Sequence, residues 1–230
     1  MAEAVGRCEG LILRRRPATV VTVNPELIMH AARNPGVARA VREADLVVPD
    51  GIGVVWASRV FGRPVPERVP GVELAGALLG LAAARGFRVF LLGAEPGVAE
   101  EAARRAKRRH PRLVVAGVHH GYFGPEQEPA VLDLIRRARP DIVLVGMGAP
   151  RQELWIARHR HRWSVPLAVG VGGTLDVLSG RVARAPRWMQ RAGLEWLYRL
   201  LRQPARIRRA AALPRFALKV LLDARRRNLL

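Results

Sequence analysis

Asp141-Ile142-Val143-Leu144-Val145-Gly146-Met147-Gly148-Ala149-Pro150-Arg151-Gln152-Glu153 sets the architecture. Its apolar run does not alternate with polar residues, which describes a strand buried on both faces rather than one with a wet side. Two glycines then turn the chain, and Pro150 falls where a first helical turn tolerates proline, so a helix is predicted over 150–162. The same strand, glycine loop and helix recur along the chain. Strands are predicted at 18–23, 46–48, 87–92, 113–118, 141–145 and 166–171. Helices are predicted near 25–34, 51–61, 72–85, 97–109, 127–138 and 150–162, with Gly86 after Arg85 as a stop. This alternation predicts an α/β fold: a mostly parallel sheet with helices on both faces.

After Gly180 no strand pattern remains. Helices are predicted near 187–202, 204–211 and 214–227, separated by Pro204 and Pro214. Leu194, Leu197, Tyr198 and Leu201 recur at helical spacing, and Arg199, Arg202, Arg206 and Arg209 follow the same stretch. The division expected is an α/β domain over 1–190 and a basic amphipathic helical appendage over 191–230.

Charge follows that division. The 230 residues carry 39 Lys+Arg against 19 Asp+Glu, a formal net charge of +20. Only Lys107 and Lys219 are lysines, an arginine bias that by itself says nothing about partners. Residues 181–230 hold 14 basic and 2 acidic side chains, a net of +12 in the last fifth of the chain. Such asymmetry points to an anionic surface. With half the residues hydrophobic, a sizeable core is available. A single cysteine, Cys8, excludes a disulfide framework and any multi-thiolate metal site. The longest uncharged apolar run, 74–84, is well short of the roughly 20 residues that cross a bilayer, and no secretory signal is readable. A cytoplasmic protein is the expectation.

Ligands of an open parallel sheet bind beyond the carboxyl ends of its strands, so the loops that follow each strand carry the chemistry. Five of the six loops hold two or more glycines, which let backbone approach a ligand ahead of a helix N-terminus. Together they suggest a phosphorylated, nucleotide-bearing ligand, although none matches a complete dinucleotide or Walker fingerprint. Asp50, directly after an apolar strand, fits either a general base for a hydroxyl or the N-cap of the helix that Gly51 begins. Thr22 and Asn24 fit contacts to a sugar or base, and Asn24 equally a cap or turn. Arg151 and Gln152 fit phosphate and sugar hydroxyl, and Arg68 fits either a pyrophosphate or an ion pair with Glu67. His119-His120 and His159-x-His161 lack the spacing and partner carboxylates of a metal site, and no Asp-x-Asp pair or serine nucleophile elbow occurs.

These segments resemble the WecG/TagA/CpsF glycosyltransferases of bacteria. The resemblance runs through Thr22-Val23-Asn24-Pro25-Glu26, Pro49-Asp50-Gly51-Ile52-Gly53, Arg68-Val69-Pro70-Gly71 and Gly146 to Glu153. It continues through Gly170-Val171-Gly172-Gly173-Thr174-Leu175-Asp176, Ser179-Gly180 and Arg184-Ala185-Pro186, covering about residues 10 to 210. It implies a Rossmann-like fold and transfer of an N-acetylmannosamine-type sugar from a UDP-sugar donor. The acceptor implied is a polyprenyl-diphosphate-linked amino sugar in the membrane, with inversion at the anomeric carbon, no bound metal and no cofactor. Carried over residue by residue, Asp50 is the base, Thr22 and Asn24 are pocket residues beside it, and Gln152 is a sugar or acceptor contact. Tyr122 falls on a pocket aromatic, and Arg68 on an arginine facing the site. Arg199, Arg206 and Arg209 match positions that complete the site at the membrane.

The expected location is therefore peripheral, on the inner face of the cell membrane, with an anionic membrane surface as partner and self-association allowed by Leu/Val-rich helix faces. A nucleic-acid-binding module would explain the basic tail but leave the glycine loops, Asp50 and Gln152 without a task. A nucleotide-dependent oxidoreductase lacks its fingerprint. Neither is expected.

Overall fold

The computed structural model describes residues 1–202 and 212–227, apart from the side chains of Arg191 and Arg199. In chain order the elements are α1 (Ala2–Leu13), β1 (Ala18–Val23), α2 (Pro25–Ala31), α3 (Pro35–Arg42), β2 (Leu46–Pro49) and α4 (Ile52–Val60). Then come α5 (Gly71–Arg85), β3 (Arg88–Gly93), α6 (Val98–Arg109), β4 (Val114–His119), α7 (Glu128–Ala138) and β5 (Ile142–Gly146). The chain continues through α8 (Arg151–His159), β6 (Leu167–Gly170), α9 (Thr174–Leu178), α10 (Arg187–Arg191), α11 (Glu195–Arg202) and α12 (Ala212–Arg226).

The six strands form one sheet in the order β2-β1-β6-β5-β3-β4, and every pairing is parallel. The expected α/β fold is present. Alternate side chains of each strand feed two cores. On one face Val20, Val48, Leu91, Leu144 and Val169 pack under α1, α5, α6 and α9. On the other, Phe90, Leu92, Val143 and Val145 meet α7 and α8, while Val21 and Val23 meet α2 and α3. The central strands β1 and β5 are buried along their whole length. The edge strands are not: β2 alternates, and β4 has no fully buried residue, because an edge lacks one neighbour to cover it.

The structure departs from the sequence reading in its helices. Helix α1 was not anticipated; it lies on the sheet through Ala4, Cys8 and Ile12, spaced by four on one face. The segment predicted near 25–34 ends at Ala31, and a separate α3 starts at Pro35. Asn34 caps α3 by accepting from the N–H groups of Gly36 and Val37. The helix predicted near 187–202 is broken at Gly193, whose φ of 73° is left-handed. Helix α12 begins two residues before Pro214, which sits in its first turn rather than ahead of it. The helix predicted at 204–211 falls outside the described residues.

Helix α12 returns to the α/β domain. Phe216, Val220 and Ala224 are buried at helical spacing, and Phe216 and Val220 form a small core with Ala57 of α4, packed against Ile28, Met29, Val60 and Phe61. Arg184 ties α5 to α11, with its Nη2 2.9 Å from Glu73 Oε1 and 3.4 Å from Glu195 Oε2. Among the described residues, no helix is long and apolar enough to cross a membrane.

Cys8 belongs wholly to the core. Burial pushes its thiol up to about 12, so little reactive thiolate exists at neutral pH. Alkylation of the native protein at pH 8 should therefore be at least about tenfold slower than alkylation of the urea-unfolded chain, as measured by mass shift over time.

Candidate active site

Among the described residues, a crevice opens at the carboxyl edge of the sheet. From β1 the chain moves outward to β2 on one side, while β6 lies on the other. Helix α2, which follows β1, packs on one face through Leu27, and α9, which follows β6, packs on the opposite face through Leu175. Neighbouring strands whose exits diverge in this way leave a gap between their loops. A cavity of about 250 Å³ fills that gap. Its walls come from the loops after β1, β2, β5 and β6, from Arg68 and Pro70 ahead of α5, and from Trp196 and Leu200 of α11 and Leu213 of α12.

Five of the residues singled out by sequence line this cavity together: Thr22, Asn24, Asp50, Arg68 and Gln152. Asp50 lies one residue beyond β2, and its N–H donates to Val23 O at 2.9 Å, which fixes it beside the end of β1. The N-cap of α4 is Gly51 rather than Asp50. A Cβ added to Gly71, the first residue of α5, would lie 3.5 Å from Thr22 Oγ1 and 3.7 Å from Asp50 Oδ2. The hydroxyl and the carboxylate thus converge on the start of α5. Arg68 is half-buried in the same wall, and among the described residues its side chain has neither a hydrogen bond nor an ion pair.

Several side chains expected to face a ligand are held by the protein itself. Thr22 donates its hydroxyl to Gly170 O at 2.8 Å, tying β1 to β6. Asn24 caps α2, its Oδ1 accepting from Leu27 N–H at 2.9 Å. Gln152 is 3% exposed, and its Oε1 accepts from the N–H groups of both Gly148, at 3.2 Å, and Gly172, at 2.9 Å. Those two glycines have left-handed φ values of 79° and 53°, so the turns after β5 and β6 are pinned to one amide. Their N–H groups are spent on Gln152 and are not available to a phosphate. Gly51 and Gly53 also serve packing: a Cβ on either would come within 2.8 Å of the Pro25 ring. The Asn24-Pro25 and Gly51-Ile52-Gly53 motifs are two sides of one contact.

Other positions stand apart. Arg151 turns away from the cavity, with Nη2 donating to Phe123 O at 2.9 Å and its guanidinium over the Phe123 ring. Tyr122 is 64% exposed and does not line the cavity. His159 is buried against Trp155, its Nε2 3.2 Å from Glu128 Oε2, and burial pushes its imidazole below the usual range. Arg206 and Arg209 lie outside the described residues, as does the Arg199 side chain.

Sequence reasoning missed Glu153. It lines the cavity behind Gln152, 2% exposed, with Oε1 accepting from Gln152 Nε2 at 2.7 Å. Burial holds its carboxyl above the ordinary value of 4.5, and nearby Glu26 adds to the shift. The only signal in the sequence is its place next to Gln152 at the start of a helix after a strand, which does not distinguish it from a solvated first-turn acid.

A Rossmann-like sheet thus carries a carboxylate, a hydroxyl and an arginine around a crevice at its carboxyl edge. Comparison with known proteins sharpens this. The chain matches the description "Glycosyl transferase WecG/TagA/CpsF family" over residues 1–229. It is 41% identical over 212 residues to a Bacillus spizizenii protein named N-acetylglucosaminyldiphosphoundecaprenol N-acetyl-beta-D-mannosaminyltransferase, covering 92% of this chain and 82% of that protein. Proteins of the same name from Bacillus subtilis and Staphylococcus aureus are 36% identical over 211 residues and 38% identical over 201 residues. They cover 92% and 87% of this chain, and 82% and 78% of their own. The chain belongs to this family of glycosyltransferases.

The buried Glu153 carboxyl gives stability a pH dependence of known sign. A proton kept on the folded chain but lost from the unfolded one stabilises fully below the unfolded value of 4.5 and ceases to do so as pH rises through the folded value. In Glu153→Gln this dependence is absent. The Tm of the variant minus that of wild type should be smallest below pH 4.5 and grow with pH, at roughly 2–4 °C per kcal/mol for a chain of this size, read by thermal melts from pH 4 to 9.

Proposed function

We propose that the protein transfers an N-acetylmannosamine-type sugar from a UDP-sugar to a polyprenyl-diphosphate-linked N-acetylglucosamine, with inversion and without a resident metal. The observation that carries this reading is the convergence of Asp50, Thr22 and Arg68 on one crevice in a chain of this family. The names of the relatives specify the sugar and the acceptor for those proteins.

In this reading Asp50 removes the proton from the acceptor hydroxyl as that oxygen attacks the anomeric carbon. The bond from that carbon to the diphosphate breaks on the opposite side, and UDP leaves. A base poised at one face of the sugar and an anion departing from the other is the geometry of inversion. Charge develops on the leaving diphosphate and in this reading is met by Arg68, a half-buried cation in the cavity wall. Asn24 and Gln152 act mainly by shaping the cavity, because their oxygens are already engaged by backbone N–H groups.

The acceptor is a membrane lipid, and α12 supports peripheral attachment to the inner face of the cell membrane. Its inward face is buried through Phe216, Val220 and Ala224, while Leu218, Leu221 and Leu222 are exposed. Arg215, Lys219, Arg225 and Arg226 are exposed along the same helix. An apolar stripe bordered by cations suits an anionic bilayer, at about 1 kcal/mol per basic side chain near the surface. The apolar rim of the cavity, Trp196, Leu200 and Leu213, lies on these same C-terminal helices.

Two measurements test the reading. Asp50→Asn should lower kcat on a synthetic polyprenyl-diphosphate acceptor by about 10²–10⁴, with the KM for UDP-sugar changed only a few-fold; near-normal turnover would place the base elsewhere. Leu218→Asp combined with Leu222→Asp leaves the buried face of α12 intact. This double variant should lose at least about tenfold in sedimentation with phosphatidylglycerol vesicles, while unchanged sedimentation would reject α12 as the membrane contact.

A further inference from the structure

Glu153 stands where an acid is expensive. Its Oε1 accepts a hydrogen bond from Gln152 Nε2, and its Oε2 has no hydrogen-bond partner among the described residues. Burial so complete disfavours the ionised form of the carboxyl and raises its pKa. An apolar side chain of similar volume would fill the same space without an orphaned oxygen, so packing alone does not account for the residue.

The neighbouring amide does account for it. Gln152 is useful to the fold only while Oε1 faces Gly148 and Gly172, because a flipped or displaced amide would present nitrogen to two N–H donors or leave both unmet. With Oε1 so placed, Nε2 points into the protein and needs an acceptor. Glu153 Oε1, at 2.7 Å, is that acceptor. Without it a donor is buried unpaired, and the amide gains by swinging toward the solvent in the cavity, which releases both glycines.

We propose that Glu153 is a positioning residue, whose Oε1 holds the Gln152 amide on Gly148 and Gly172 and thereby fixes the two turns that form the cavity floor. The link from those turns to turnover rests on the sugar-transfer reading above; the link from Glu153 to the turns does not.

Amide hydrogen exchange on the full chain, followed by NMR, tests the first link without substrate. Glu153→Leu keeps the volume and removes the acceptor; the amides of Gly148 and Gly172 should exchange at least tenfold faster, while those of Leu144 and Val169 in the strands stay protected. Glu153→Gln, which keeps an acceptor oxygen, should restore protection at both glycines. Glu153→Met, a second variant without the acceptor, should release the same two amides, which keeps the test intact if Glu153→Leu does not fold. Turnover on the lipid-linked acceptor should fall at least tenfold in kcat in Glu153→Leu and recover substantially in Glu153→Gln. Unchanged protection at Gly148 and Gly172 in Glu153→Leu, or equal loss in the Leu and Gln variants, overturns the proposal. Absence of turnover by the wild type on this acceptor would count against the transfer reading and leave the exchange result to stand on its own.

Discussion

Parallel strands cannot be joined by tight turns, so each return of the chain must cross a face of the sheet, usually as a helix. Everything else in this molecule follows from that constraint. Six parallel strands send all their exits to one edge, and the helices that follow must be divided between two faces to bury both sides. Where the exits of β1 and β6 go to opposite faces, a gap opens between their loops. The cavity is the space that this winding cannot fill, and Asp50 is placed there because β2 ends one residue before it.

Burial made the sheet legible. Runs such as Ile142-Val143-Leu144-Val145 have no use except as strands covered on both sides, and the six strands stand close to where their composition places them. Helices were read less well where they depend on tertiary contact. Helix α1 carries Gly6 and Gly10 and gains little from propensity; three residues buried against the sheet hold it. The break between α2 and α3 turns on Asn34, whose capping oxygen is a local signal that the apolar pattern on either side hides.

The site was legible as a set of positions rather than as a set of roles. Thr22, Asn24, Asp50, Arg68 and Gln152 do meet around one cavity. Yet three of them spend their polar atoms within the protein, and the glycines around them serve turns and close packing as much as a ligand. Spacing shows which residues will be near one another. It does not show which hydrogen-bond capacity remains after the fold has taken its share, because that share depends on partners more than a hundred residues away, as with Thr22 and Gly170. Glu153 is the extreme case, since only its burial separates it from an ordinary helix-start acid.

The basic C-terminal fifth includes a helix that packs back on the α/β domain. Helix α12 buries one face on α2 and α4 and leaves a leucine stripe among its cations. Arg184 fastens the start of this region by bridging Glu73 and Glu195, and Glu195 itself lines the cavity. The C-terminal helices therefore also supply one wall of the site. Under the proposed transfer to a bilayer-held acceptor, attachment and access would use the same few turns of helix.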